Sequence, residues 1–116
     1  MSAGAAPQPA FSVTAVAGAG DVVALAVRGE ADIATAPELR AALGEAIDRS
    51  PRGVELDLRE CSFIDSTALQ VIIRAATALA ENGGSLSLSR PPEHVRRLFE
   101  TAGIDRIEGI RVAVGE

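Results

Sequence analysis

Lysine, tryptophan and tyrosine are missing from this 116-residue chain, and cysteine and histidine occur once each. Each absence removes a class of function. Without Tyr or Trp there is no ready platform on which nucleic-acid bases could stack. All eleven positive charges are arginines against sixteen acids, and a net charge of -5 opposes the counterion displacement that nonspecific nucleic-acid binding needs. Direct nucleic-acid binding is therefore not expected. The single cysteine, Cys61, cannot close an internal disulfide, which fits a reducing compartment. Cys61 and His94 do not make a metal-ligand pair, so neither a metal site nor a cofactor is expected. The apolar run VVALAV is far too short to span a bilayer, and Arg74 interrupts the other candidate, so no membrane insertion is expected. MSAGAAPQPA lacks the charged start and apolar core of a secretory signal. It reads as a flexible leader over residues 1–10 of a cytoplasmic protein, followed by a single domain over 11–116.

What is present is a regular alternation of periods. FSVTAVA (11–17) and VVALAVR (22–28) read as strands joined through the turn residues Gly18-Ala19-Gly20-Asp21, an opening β-hairpin. The period then changes. Thr35-Ala36-Pro37-Glu38 matches a capping box, and Leu39, Ala42, Leu43, Ala46 and Ile47 recur at helical spacing. VELDL (54–58) is a strand again. A second helix is expected from Asp65 to about Glu81, with Leu69, Ile72, Ile73, Ala76 and Leu79 as its buried stripe and Asn82-Gly83-Gly84 as its stop. SLSLS (85–89) alternates as a short strand. Pro91-Pro92 opens a third helix carrying Val95, Leu98, Phe99 and Ala102, and Gly103 closes it. IEGIRVAV (107–114) reads equally as an edge strand or a short helix. The order β-β-α-β-α-β-α predicts an α/β fold: a small mixed β-sheet, opened by a β-hairpin and covered by amphipathic helices. The polar alternation in VELDL and SLSLS implies that one sheet face is less completely covered.

The chemistry narrows to one tripeptide. Ser66 and His94 invite a hydrolytic reading, but FIDSTA lacks the small flanking residues of a nucleophile elbow, and His94 sits on a helix face beside Arg96 and Arg97. An enzyme is not expected. Gly18-x-Gly20 lies in a hairpin rather than a strand-to-helix turn, so it is no dinucleotide fingerprint. Cys61 has no basic group before it to lower its pKa and reads as a space filler near a strand end. Asp65-Ser66-Thr67 has a plain reading as a helix cap, since Asp and Ser are preferred N-caps. Yet Gln70, Arg74, Thr77 and Glu81 fall at +4, +8, +11 and +15 from Ser66, on a stripe opposite Leu69, Ile72, Ile73 and Ala76. Ser66 therefore heads the solvent face of the helix. A phosphate there would meet unpaired backbone N–H groups and the positive end of the helix dipole. It would add about -1.5 to -2 charges beside Asp65, enough to repel a partner fitted to a neutral hydroxyl.

FIDSTAL also resembles the phosphorylation motif of the STAS-domain anti-sigma factor antagonists, written as aspartate, serine, serine or threonine, glycine, leucine. GEADIATAPEL and RPPEHVRRLFETAGIDRI resemble two further blocks of that family, in family order, and the likeness covers residues 11 to 114. The resemblance implies a STAS-like domain that regulates transcription in a stress response by partner switching. Its unphosphorylated form would bind an anti-sigma factor that is also a serine kinase, releasing a sigma factor. Phosphorylation of Ser66 would end that binding, and a PP2C-type phosphatase would restore it. Asp65, Ser66 and Thr67 would meet the kinase, with Asp32 on the neighbouring loop as a further contact and Gln70 and Arg74 on the same exposed stripe. The family usually has glycine where this chain has Ala68, and often leucine where it has Ala31. The alternative within the family is a non-switching STAS subunit with a structural role in a transporter or stress-sensing complex. Both a monomer and a homodimer are compatible with the sequence.

Overall fold

The computed structural model describes residues 10–49 and 51–113. Of the expected leader, residues 1–9 lie outside the described residues, as does Val114 at the end of the last expected element. The chain forms β1 (Ser12–Val16), β2 (Val22–Ala31), α1 (Ala36–Asp48), β3 (Gly53–Ile64), α2 (Ser66–Glu81), β4 (Ser85–Ser89), α3 (Glu93–Ala102), a 3-10 turn (Ile104–Arg106) and β5 (Ile110–Ala113). The ambiguous tail thus resolves into a short strand. It pairs with β4 because Ile110 and Val112 fall in register with Leu86 and Leu88.

The five strands lie in sequence order, β1 antiparallel to β2 and every later pair parallel. Parallel partners point to the same side of a sheet. Leu25, Leu56, Leu88 and Val112 therefore form one apolar row, and Val23, Val54, Leu86 and Ile110 another. These rows join the apolar stripes of the three helices in a single core that includes Leu39, Leu43, Ile72, Leu79, Val95 and Phe99. The opposite sheet face carries Glu55, Asp57, Ser85 and Ser87, all half-buried, in keeping with its polar alternation.

Three local features differ from the pattern expected. First, β3 runs well beyond Leu58. Two bulges each give it one residue more than β2, between Ala26 and Arg28 and between Gly29 and Glu30. Buried positions consequently change from every second residue (Val54, Leu56, Leu58) to every third (Cys61, Ile64), which hides the strand from a period-two search. Second, the expected capping box at Thr35 does not form. Thr35 is already in helical backbone geometry, with φ -102° and ψ -6°, and its hydroxyl turns back to donate to the Glu30 carbonyl at 2.9 Å. Asp32 shapes the turn instead, its Oδ1 accepting from the N–H groups of Ala34 (3.0 Å) and Thr35 (3.1 Å). Third, the buried stripe of α2 is wider than expected. Ala68, Val71 and Ala75 are buried as well, while Ile73 is only half-buried. Val71 and Ala75 line the seam between α2 and the Leu43, Gly44 and Ile47 side of α1.

Leu56 is fully buried at the centre of the central strand. Leu56→Ala is expected to lower unfolding free energy by about 2–5 kcal/mol in a urea titration, with the m-value unchanged.

Candidate functional site

The site grows out of the way β2 and β3 end. These parallel neighbours finish side by side, Ala31 opposite Ile64, and each passes directly into a helix. The Asp65 N–H donates to the Ala31 carbonyl at 3.0 Å, extending the ladder by one bond beyond the last strand pair. Asp65 is in extended geometry at the N-cap of α2, with φ -99° and ψ -179°. Its carboxylate has two separate tasks. Oδ1 accepts from the Ala68 N–H at 3.0 Å, closing the first turn of its own helix. Oδ2 accepts from the Ile33 N–H at 3.0 Å, tying down the β2–α1 loop. One side chain therefore fixes two helix starts relative to each other.

Ser66 is the first residue of α2 and is exposed. Because Asp65 supplies the capping oxygen, the Ser66 hydroxyl is not needed to hold the helix. Of the other residues expected to face a partner, Gln70 and Arg74 are exposed on the same stripe and Thr67 is half-buried. The structure gathers Ser66, Thr67, Gln70 and Arg74 around one shallow depression of about 370 Å3, together with Val71 and Arg40. Asp32 and Asp65 are not among the side chains lining it; both are half-buried and engaged in the loop and cap just described. Ala68, where the resemblance led glycine to be expected, is fully buried, so its methyl group faces the core rather than an approaching protein.

Two kinds of residue at this end of the sheet were not marked by sequence reasoning. Ile33 is 72% exposed and Phe63 45% exposed, both large apolar side chains beside the Asp65 loop. The available signal was that Ile33 belongs to no helical or strand period, so no core role accounts for it. Arg40 gave no such signal, because its place beside Ser66 depends on how α1 lies against α2.

The remaining reactive groups are occupied. Cys61 is fully buried, burial pushes its thiol up, and its Sγ lies 3.5 Å from the Phe63 carbonyl. His94 Nε2 bonds to the Ser62 carbonyl, fastening the start of α3 to β3. Among the described residues no group of three His, Cys, Asp or Glu side chains is placed to hold a metal ion, and no helix is long and apolar enough to cross a membrane.

A mixed sheet whose strand ends carry a carboxylate-pinned helix start and an exposed serine defines a small α/β domain. The comparisons give it a family. The family model described as Mlab, STAS domain, matches residues 14–112. The anti-sigma-B factor antagonist of Listeria monocytogenes is 33% identical over 96 residues, covering 83% of this chain and 84% of that protein. Two solved structures share the fold. An anti-sigma factor antagonist from Mycobacterium paratuberculosis superposes with a TM-score of 0.77 at 24% identity, covering 88% of this chain and 86% of that one. The phosphorylated form of the Bacillus cell fate determinant SpoIIAA gives 0.65 at 22%, covering 90% and 92%. The chain belongs to the STAS-domain family of anti-sigma factor antagonists.

Asp65→Ala removes the cap and the loop tie together. It is expected to cost about 1–3 kcal/mol in a urea titration, and Asp65→Asn, which keeps one acceptor oxygen, is expected to lose less. A chain as stable as wild type with alanine at this position would contradict the assignment.

Proposed function

We propose that this protein is an anti-sigma factor antagonist switched by phosphorylation of Ser66. In its unphosphorylated form it binds an anti-sigma factor that is also a serine kinase, and so frees a sigma factor. The kinase transfers the γ-phosphoryl group of ATP to the Ser66 hydroxyl: an O–P bond forms at Oγ as the hydroxyl gives up its proton to a base of the kinase, the bond to the β-phosphate oxygen breaks, and ADP leaves. Binding then ends, and a PP2C-type phosphatase hydrolyses the phosphoserine to reset the protein.

The observation that carries this reading is the division of labour between Asp65 and Ser66. The aspartate holds the helix start through two hydrogen bonds, while the adjacent serine is exposed. A group can be added to Ser66 without breaking the cap, and the backbone N–H groups of the first turn favour an anion there. The surroundings suit a protein partner. Exposed Ile33 and Phe63 offer apolar anchors at the same end of the sheet, and Thr67, Gln70 and Arg74 offer polar contacts. Asp32 and Asp65 act chiefly by shaping the surface, with their outer edges available to the partner. A partner packed on this surface around a neutral hydroxyl would lose its fit when a dianion is introduced.

The test combines the purified chain, the candidate anti-sigma kinase and ATP, with intact mass as the readout. One added phosphate on wild type and none on Ser66→Ala is expected. No phosphate on either, together with no binding, would sink the proposal in favour of the non-switching subunit. Ser66→Asp is expected to weaken kinase binding at least about tenfold, a loss of roughly 1.4 kcal/mol, with an unchanged melting temperature. A large drop in melting temperature would instead assign Ser66 to the cap.

A further inference from the structure

Among the described residues four of the eleven arginines are matched to acids, Arg28 (with Glu60), Arg90, Arg96 and Arg97. Arg90 lies 2.6 Å from Asp57, Arg96 2.8 Å from Glu93 and Arg97 3.2 Å from Glu93. Arg40 and Arg74 are among the seven that are not, and they are the two placed beside Ser66. Among the described residues neither takes part in an ion pair, and both line the depression at Ser66, one from each helix. The other lining residues are Ser66, Thr67, Gln70 and Val71, with no carboxylate among them, and the first turn of α2 has no acidic residue. In a chain of net charge -5 this is a local concentration of positive charge opening on the exposed Ser66 hydroxyl.

We propose that Arg40 and Arg74 form a receiving site for a phosphoryl group, and that the group they hold is the one carried by Ser66. The proposal rests on the reading of Ser66 as the modified residue and adds where its phosphate goes. A guanidinium offers paired N–H donors that match two oxygens of a phosphomonoester, and two such groups from separate helices can serve a dianion from both sides. Thr67 and Gln70 supply neutral donors at the same depression. Asp65, next to Ser66 but not lining the depression, has its carboxylate bound to two backbone N–H groups. The phosphate therefore turns from the Asp65 side toward the α1–α2 side. The modified protein presents a neutralised cleft there and withdraws Arg74 from any partner that used it.

The test places phosphoserine at position 66 during translation, so that it needs no kinase and stands whether or not one is found. Titration followed by 31P NMR should give a second phosphate pKa about one pH unit below that of the same chain unfolded in urea. Arg40→Gln combined with Arg74→Gln should recover most of that difference, and each single variant part of it. Both positions are exposed, and an unchanged melting temperature checks that the double variant is folded. If wild type and double variant titrate together, the site is overturned. A second arm adds millimolar inorganic phosphate to the unmodified chain and follows the arginine Nε–H signals. Those signals are expected to stay in place, because only covalent attachment holds the group at high effective concentration. Saturable shifts in that arm, with no Arg-dependent pKa change in the first, would assign the depression to free phosphate and overturn the link to Ser66.

Discussion

The carboxylate of Asp65 is the interaction on which the rest of the site depends. Its two oxygens accept backbone N–H groups from different elements, Ala68 in its own helix and Ile33 in the loop before the other. Parallel strands that end together leave two helix N-termini side by side, each with unpaired N–H groups to satisfy. A residue with a single acceptor could close one of them. A carboxylate closes its helix and fixes the neighbouring loop at once, and so sets the distance between α1 and α2 at the end where Ser66 stands. Asp32 completes the frame from the other side by holding Ala34 and Thr35.

With that frame in place, the groups that hold the structure and the groups it displays are different groups. The acids are folded inward onto backbone donors. What faces outward is a hydroxyl, a polar stripe of Gln70 and Arg74, a cleft with two arginines, and two exposed apolar side chains, Ile33 and Phe63. On the proposed function, the exposed apolar side chains would give a partner its affinity, and the small hydroxyl at the same end of the sheet would give a modifying enzyme its control. The same physical arrangement gives Ala68 a structural role. The methyl group is buried and adds to the core, where alanine also favours the helix.

Much of this was legible in the sequence, and the parts that were not have identifiable causes. The three helices, the opening hairpin and the polar alternation of VELDL and SLSLS depend on period alone, and period survives in the sequence. The display of Ser66 followed from counting residues around one helix. The far half of β3 was hidden because its bulges change the buried spacing from two to three at Cys61 and Ile64. The capping box at Thr35 was a sound match to a local pattern, but the acceptor that wins is Asp32, three residues earlier, since the turn it builds leaves Thr35 already helical. Arg40 was invisible for a different reason. Its role depends on the packing of α1 against α2, and no local rule encodes which exposed arginine of one helix will face the serine of another.

The central claim is that Ser66 can carry a phosphate while Asp65 continues to hold both helix starts. Amide hydrogen exchange at Ala68 and Ile33, the two donors to that carboxylate, measures this directly. In a chain bearing phosphoserine at position 66, both amides should keep the protection they have in the unmodified chain. A loss of protection at either amide on phosphorylation would show that display and scaffold are not separate, and would contradict the account.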